Sequence, residues 1–111
     1  MTWQEIISVM REKIRNYVPG LLEALDLMCI REIGTTCHNA FFEKPGKFRD
    51  MLLKMYGGGI DSALYIVFNV FVKPLFEDKD DRAWELAKLF IRDPDKSIEI
   101  IKEIVELVRY R

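Results

Sequence analysis

The stretch from Ile60 to Val72 constrains the fold of this 111-residue chain more than any other. It reads Ile-Asp-Ser-Ala-Leu-Tyr-Ile-Val-Phe-Asn-Val-Phe-Val, and its β-branched and aromatic residues favour a strand on propensity alone. A strand needs a partner, because it cannot satisfy its own backbone N–H and C=O groups. No second β-like run exists elsewhere in the sequence. Asp61 or Ser62 offers a helix N-cap directly after a glycine stop. The stretch is therefore expected to coil into a central, buried helix over about 61–73. Asn69, Lys73 and Pro74 interrupt it well short of the roughly 20 apolar residues that a membrane span requires.

The flanking sequence supplies helices to wrap around it. Thr2 and Glu5 have capping-box spacing. Trp3, Ile7, Met10, Ile14 and Val18 then fall on one helical face, with Gln4, Ser8, Arg11, Glu12 and Arg15 on the wet side. Pro19-Gly20 ends that helix. A second helix over 21–33 carries Leu21, Leu22, Leu25, Met28 and Cys29. Ala24, Leu27 and Ile30 widen the stripe, which predicts burial on more than one side. Gly34 is the expected stop. Thr35 or Thr36 can cap a short helix through Phe42. Lys44-Pro45-Gly46 then turns the chain into a segment with Phe48, Met51, Leu52 and Met55 inward, ending at Gly57.

After the central stretch, residues 77–81 form an acidic connector that suits a helix N-terminus. Ala83, Leu86, Ala87, Phe90 and Ile91 are expected inside, and Asp81, Glu85, Lys88 and Arg92 outside. Asp93-Pro94 is a cap followed by proline at the first helical position. The last helix presents Ile98, Ile101, Val105 and Val108, with Ile100, Ile104 and Leu107 alongside. Arg109 and Arg111 suit its C-terminal dipole. No repeat or long linker divides the chain. The expectation is a single all-α domain over 1–111, a compact bundle of five to six helices around the 61–73 helix.

Composition narrows the function classes. Half the residues are hydrophobic (50%) and 32% are charged, which is globular rather than disordered. The net charge is −1, so a general polyanion-binding surface is not expected. Two cysteines, Cys29 and Cys37, are too few for the dense disulfide framework of a small secreted protein. The first residues carry neither a basic segment nor an apolar run, so a cytoplasmic location is expected. A single glutamine, abundant isoleucine and charges of both signs lean towards a heat-adapted source.

Candidate chemistry is sparse. Gly57-Gly58-Gly59 before Asp61-Ser62 could expose backbone N–H groups to an anion. It lacks the strand and the Lys-Ser/Thr pair of a phosphate loop, and Asp61 puts negative charge where the anion would sit. A helix stop, a tight turn and a cap account for it without a ligand. Cys29, Cys37 and His38 have a spacing unlike structural zinc sites and no fourth ligand. Cys29 on an apolar stripe behaves as a small hydrophobe. Cys37 and His38 are adjacent, so they would point about 100° apart on a helix and cannot form a nucleophile–base pair. His38 is expected to be a partly exposed surface or packing residue. No paired carboxylates stand out as acid and base, and neither a catalytic residue nor a metal or cofactor is expected.

Two surfaces remain. Lys44, Lys47, Arg49 and Lys54, near Phe48 and Tyr56, form a basic cluster that would serve a DNA-binding regulator. Asp50 dilutes it, and a solvated helix face explains it. In the central helix, Ser62, Tyr65, Asn69 and Lys73 recur at helical spacing as a narrow polar line on an apolar cylinder. With Gly58 and Gly59, that line is the candidate for a small-ligand or anion site. The last helix, 94–111, has a wide apolar face suited to a second copy of the chain or another protein.

Residues 41–76 also resemble a small archaeal family, the Nitrosopumilus output domain type. The resembling positions are Phe41, Pro45, Phe48, Leu52, Tyr56-Gly57, Gly59, Ala63 and Pro74. The resemblance implies a short helical signalling output or interaction domain, and it transfers no functional residues. The leading expectation is thus a non-enzymatic interaction or regulatory module. Ligand binding and DNA binding are the alternatives.

Overall fold

The computed structural model describes residues 3–57, 59–76 and 80–109, and the side chains of all of these except 3, 80 and 107–109. Among the described residues every regular element is helical. Seven α-helices appear: α1 (Trp3–Tyr17), α2 (Leu21–Glu32), α3 (Cys37–Glu43), α4 (Pro45–Met55), α5 (Ile60–Ile66), α6 (Asp80–Arg92) and α7 (Pro94–Arg109). The number exceeds the five to six expected. The break between α3 and α4 falls where Lys44-Pro45-Gly46 is expected to turn the chain, with Pro45 at the first helical position of α4. No helix among the described residues is long and apolar enough to cross a membrane.

Local signals place the boundaries. Gly20 (φ 87°), Gly34 (φ 96°) and Gly57 (φ 64°) adopt the left-handed conformation after α1, α2 and α4. The backbone N–H of Gly34 donates to the carbonyls of Cys29 and Ile30, both at 3.1 Å, which closes α2. At the start of α7 the Asp93 carboxylate accepts the Lys96 backbone N–H at 3.3 Å, as its sequence predicts. Thr2 of the capping box, most of the 77–81 connector and Arg111 lie outside the described residues.

Ile60–Val72 does coil, but not as one α-helix. After Ile66 it widens into a π segment (Val67–Val72), then tightens into a 3-10 turn (Lys73–Leu75). Pro74 has no N–H to offer the Val70 carbonyl four residues back, and its ring crowds that carbonyl. The α register therefore cannot run through the end of the segment. Val67, Val70, Phe71 and Val72 are all buried, so the segment is central as expected.

The core is one aromatic-rich cluster. Phe41 stacks on Phe71 (5.0 Å between centroids) and on Phe90 (4.8 Å), while Phe48 meets Phe71 edge-on at 4.9 Å. These four rings come from α3, the π segment, α6 and α4, and all are fully buried. Such contacts add about 0.5–1.5 kcal/mol per pair beyond area burial. Ser97 is also fully buried, and its hydroxyl donates to the Leu86 carbonyl at 2.8 Å, tying α7 to α6.

Several sequence expectations fail in detail. Leu27 is 71% exposed and Ile30 53% exposed, with Ala24 also on the surface, so α2 is buried on one side only. The widening of its stripe reflects composition, not a second neighbour. Val18 is likewise exposed. Cys29 and Cys37 are joined in a disulfide, so Cys29 is not the free small hydrophobe expected of it. His38 is completely buried instead of partly exposed. On α7, Ile98 and Ile101 are buried while Ile100, Ile104 and Val105 are half-buried; the side chains of 107–109 are outside the described set.

Candidate functional site

Two helical walls face each other across a cleft of about 600 Å³. Lys13, Ile14, Tyr17 and Val18, from α1 and the turn that follows it, form one wall with Leu21 at the start of α2. Within α1, Lys13, Ile14 and Tyr17 share one helical face. Tyr65, Ile66, Asn69, Val70, Lys73 and Pro74 form the other wall, from α5 through the 3-10 turn. Ile14, Ile66 and Val70 are buried and make an aliphatic floor. Lys13, Tyr17, Val18 and Tyr65 are exposed at the mouth, with Tyr17 at 86% and Tyr65 at 66%. A volume of this size lies within the range of about 300–1,000 Å³ common to ligand pockets.

Of the polar line read from the sequence, Tyr65, Asn69 and Lys73 thus line this cleft together. Asn69 donates from its side-chain nitrogen to the Tyr65 carbonyl at 3.0 Å, which holds its amide along the wall. The Lys73 ammonium lies 5.8 Å from the centre of the Phe68 ring. Ser62 is placed elsewhere. It lies with Tyr56, Asp61, Tyr65 and Ile66 on a shallower depression of about 340 Å³. Tyr65 touches both hollows. Gly59 lies in the turn, where its N–H donates to the Tyr56 carbonyl at 3.0 Å. A Cβ there would stand 3.0 Å from that same oxygen, so a larger residue would require the turn to give by a few tenths of an ångström. Gly58 is outside the described residues.

The basic cluster is only partly available. Lys44, Lys47 and Lys54 are exposed. Arg49 is engaged, with Nε donating to Asp50 at 2.9 Å and Nη1 to the Ile91 carbonyl on α6 at 3.3 Å. No group of three or more His, Cys, Asp or Glu side chains among the described residues is arranged to hold a metal ion.

Sequence reasoning missed one buried polar network. Arg11, expected in water, turns inward and pairs bidentately with Asp26 of α2, with exposures of 17% and 14%. Asp26 also accepts the Cys37 backbone N–H at 3.1 Å, so a side chain from α2 caps α3, and not Thr36. The Arg11 guanidinium lies 3.4 Å from His38 Nδ1, which must accept because arginine only donates. The proton therefore resides on Nε2, a buried atom with no hydrogen-bond partner among the described residues. Burial, and then the adjacent Arg11 charge, hold His38 far below the usual imidazole range, at about 3. Burial opposes ionisation of Asp26, yet Arg11 and the Cys37 N–H together still hold its carboxyl below the ordinary value.

No family model matches the chain, and neither a curated protein nor a solved structure matches it. The cleft opens to solvent and unites polar residues with a buried aliphatic floor. The Arg11–Asp26–His38 network is closed on itself inside the bundle, where it joins α1, α2 and α3 and packs His38 on Phe71 at 4.7 Å. The cleft is the arrangement suited to bind; the network is suited to hold helices.

Proposed function

We propose that this protein is a regulatory binding module that takes a small ligand in the cleft between α1 and the π segment. One observation carries the reading: Tyr65, Asn69 and Lys73 border an open, aliphatic-floored hollow. Apolar pockets with a few convergent polar groups are the usual form of a ligand site. The neighbouring π segment supports it, because such widened turns recur at functional positions. The resemblance of residues 41–76 to an archaeal signalling-output family agrees with a regulatory role. A heat-adapted cytoplasm belongs to the same proposal; the Cys29–Cys37 disulfide is compatible with it because intracellular disulfides persist chiefly in heat-adapted organisms. Pairing of two copies through residues 94–111 is a second reading, favoured by half-buried Ile100, Ile104 and Val105.

The test is thermal-shift screening of the whole protein and its Val18→Trp variant against a diverse small-molecule panel. Val18 stands exposed at the mouth, so the indole obstructs the cleft without entering the core. Binders should raise the melting temperature of the wild type by linkage and lose that effect in the variant. A flat panel, or hits that stabilise both proteins equally, would reject the cleft as the site.

A further inference from the structure

We propose that the cleft and the shallower hollow beside it form one tract that receives a proline-rich segment of a partner protein, in polyproline II form and with a basic residue at its Asp61 end. This goes beyond the small-ligand reading, which concerns the cleft alone. The two hollows follow one another along a single helical face. Ser62 borders the shallower one and Asn69 the cleft, while Tyr65 and Ile66 lie between and border both. Seven residues separate Ser62 from Asn69, about 10 Å along the helix axis at a rise of about 1.5 Å each. A polyproline II chain repeats every three residues, or about 9 Å. Successive turns of such a chain therefore present the same face to both hollows as it passes over Tyr65.

The lining matches that ligand in chemistry as well as in spacing. Tyr56 belongs to the shallower hollow, Tyr65 to both and Tyr17 to the cleft, and all three are exposed. Aromatic-lined grooves are the form in which proline-rich segments are recognised. The rings pack on pyrrolidine rings, and the hydroxyls donate to carbonyls that a polyproline II chain leaves unbonded. Asn69 keeps a second N–H beyond the one given to the Tyr65 carbonyl, a further donor on the wall. Proline brings no N–H that would need an acceptor. A helical partner would arrive with its carbonyls already bonded internally. A strand would need a sheet edge, and every regular element among the described residues is helical.

Charge fixes the direction of the chain. Asp61 lies at the shallower hollow and forms no ion pair among the described residues. An arginine or lysine of the ligand completes it. Lys73, beside the Phe68 ring, makes the opposite end of the tract positive. A small molecule seated in the cleft would displace the segment, which gives a binding module of this kind a means of regulation.

Calorimetry on the whole protein tests this with acetylated, amidated peptides. The probes are Arg-Ala-Pro-Pro-Ala-Pro-Pro and its reverse, which offer the basic residue at either end. The better of the two should bind the wild type, and its counterpart with alanine for every proline should bind about tenfold more weakly or worse. Tyr65→Ala, at an exposed position, should weaken binding about tenfold or more, and Val18→Trp should abolish it. Glutamate in place of the peptide's arginine should weaken binding to the wild type, and Asp61→Asn should remove that difference. An unaltered circular dichroism spectrum checks that each variant is folded. Failure of both peptides to bind, or binding indifferent to Tyr65→Ala, overturns the proposal, as does equal affinity for the arginine and glutamate peptides. If the peptides fail while panel compounds bind in a Val18-dependent way, this inference falls and the small-ligand reading stands. Peptide binding of the expected kind with a flat small-molecule panel upholds this inference and removes the small-ligand reading.

Discussion

His38 should make this protein lose stability on mild acidification, before its carboxylates titrate. The ring is fully buried, it contacts Phe71, and Arg11 occupies its Nδ1, so the folded state holds it neutral. Its pKa falls from 6.5 in the unfolded chain to about 3 in the folded one. Burial is the largest cause. Arg11 and, more weakly, Arg15 add to it, while Asp26 opposes them. Between these two values the unfolded state binds a proton that the native state refuses, so stability rises with pH. The contribution is fully present above about pH 6.5 and falls as the pH drops towards 3. The limiting slope is about 1.36 kcal/mol per pH unit, so moving from pH 7 to pH 5 should cost about 2 kcal/mol. Asp26 titrates below that window, since its depressed pKa removes stability only as the pH falls under the ordinary carboxylate range. The assay is denaturant unfolding at both pH values for the wild type, His38→Phe and His38→Gln. The two variants differ in shape and polarity but share the absence of a titrating ring. Each should lose about 2 kcal/mol less than the wild type over the interval. Equal losses in all three proteins would refute the argument and show that the ring is hydrated or protonated in the fold.

Two further outcomes test the joints around that ring. Reduction of Cys29–Cys37, with the protein cycled through denaturant to expose the bond, should lower stability by about 2.5 kcal/mol on loop-closure grounds for a separation of 8 residues. Identical unfolding midpoints with and without reductant would count against a contribution from the bond. Asp26→Ala removes both the Arg11 pair and the α3 cap and should cost about 2 kcal/mol, with Asp26→Asn near half of that because its oxygen can still accept the Cys37 N–H; a loss for Asn as large as that for Ala would remove the capping role.

The elements that periodicity governs were legible in the chain. Wherever apolar residues recur at helical spacing between a cap and a glycine or proline, as from Trp3 to Tyr17 and from Asp80 to Arg92, the helix stands close to its expected place. The inward faces of α4, α6 and the first turns of α7 agree with the pattern too. Failures occur where the pattern carries no information about the neighbour. Leu27 and Ile30 look like core residues in any helical projection, but among the described residues no element covers that face of α2. The disulfide was invisible because a spacing of eight says nothing of two cysteines brought together by the turn at Gly34. Arg11 followed the wet stripe of α1. Only the presence of Asp26 on the facing helix turns it inward, and that is a tertiary fact.

The cleft shows a middle case, in which local periodicity and tertiary placement each supply half. Tyr65, Asn69 and Lys73 share a face because of helical spacing, and that much the sequence contains. The hollow exists only because α1 and the turn after it bring Lys13, Tyr17 and Val18 opposite them. The wall they occupy is braced from behind. Phe71 lies two residues from Asn69 on the π segment and packs on His38, Phe41 and Phe48. His38 is in turn fixed through Arg11 to Asp26. Asn69, Val70 and Phe71 therefore form a thin partition with solvent-facing polarity on one side and the closed network on the other. A π turn, which adds a residue without ending the helix, lets both sides be served within six positions. The same partition links the part-buried network to the candidate site: through His38 and Phe71 it packs against the wall that carries Asn69.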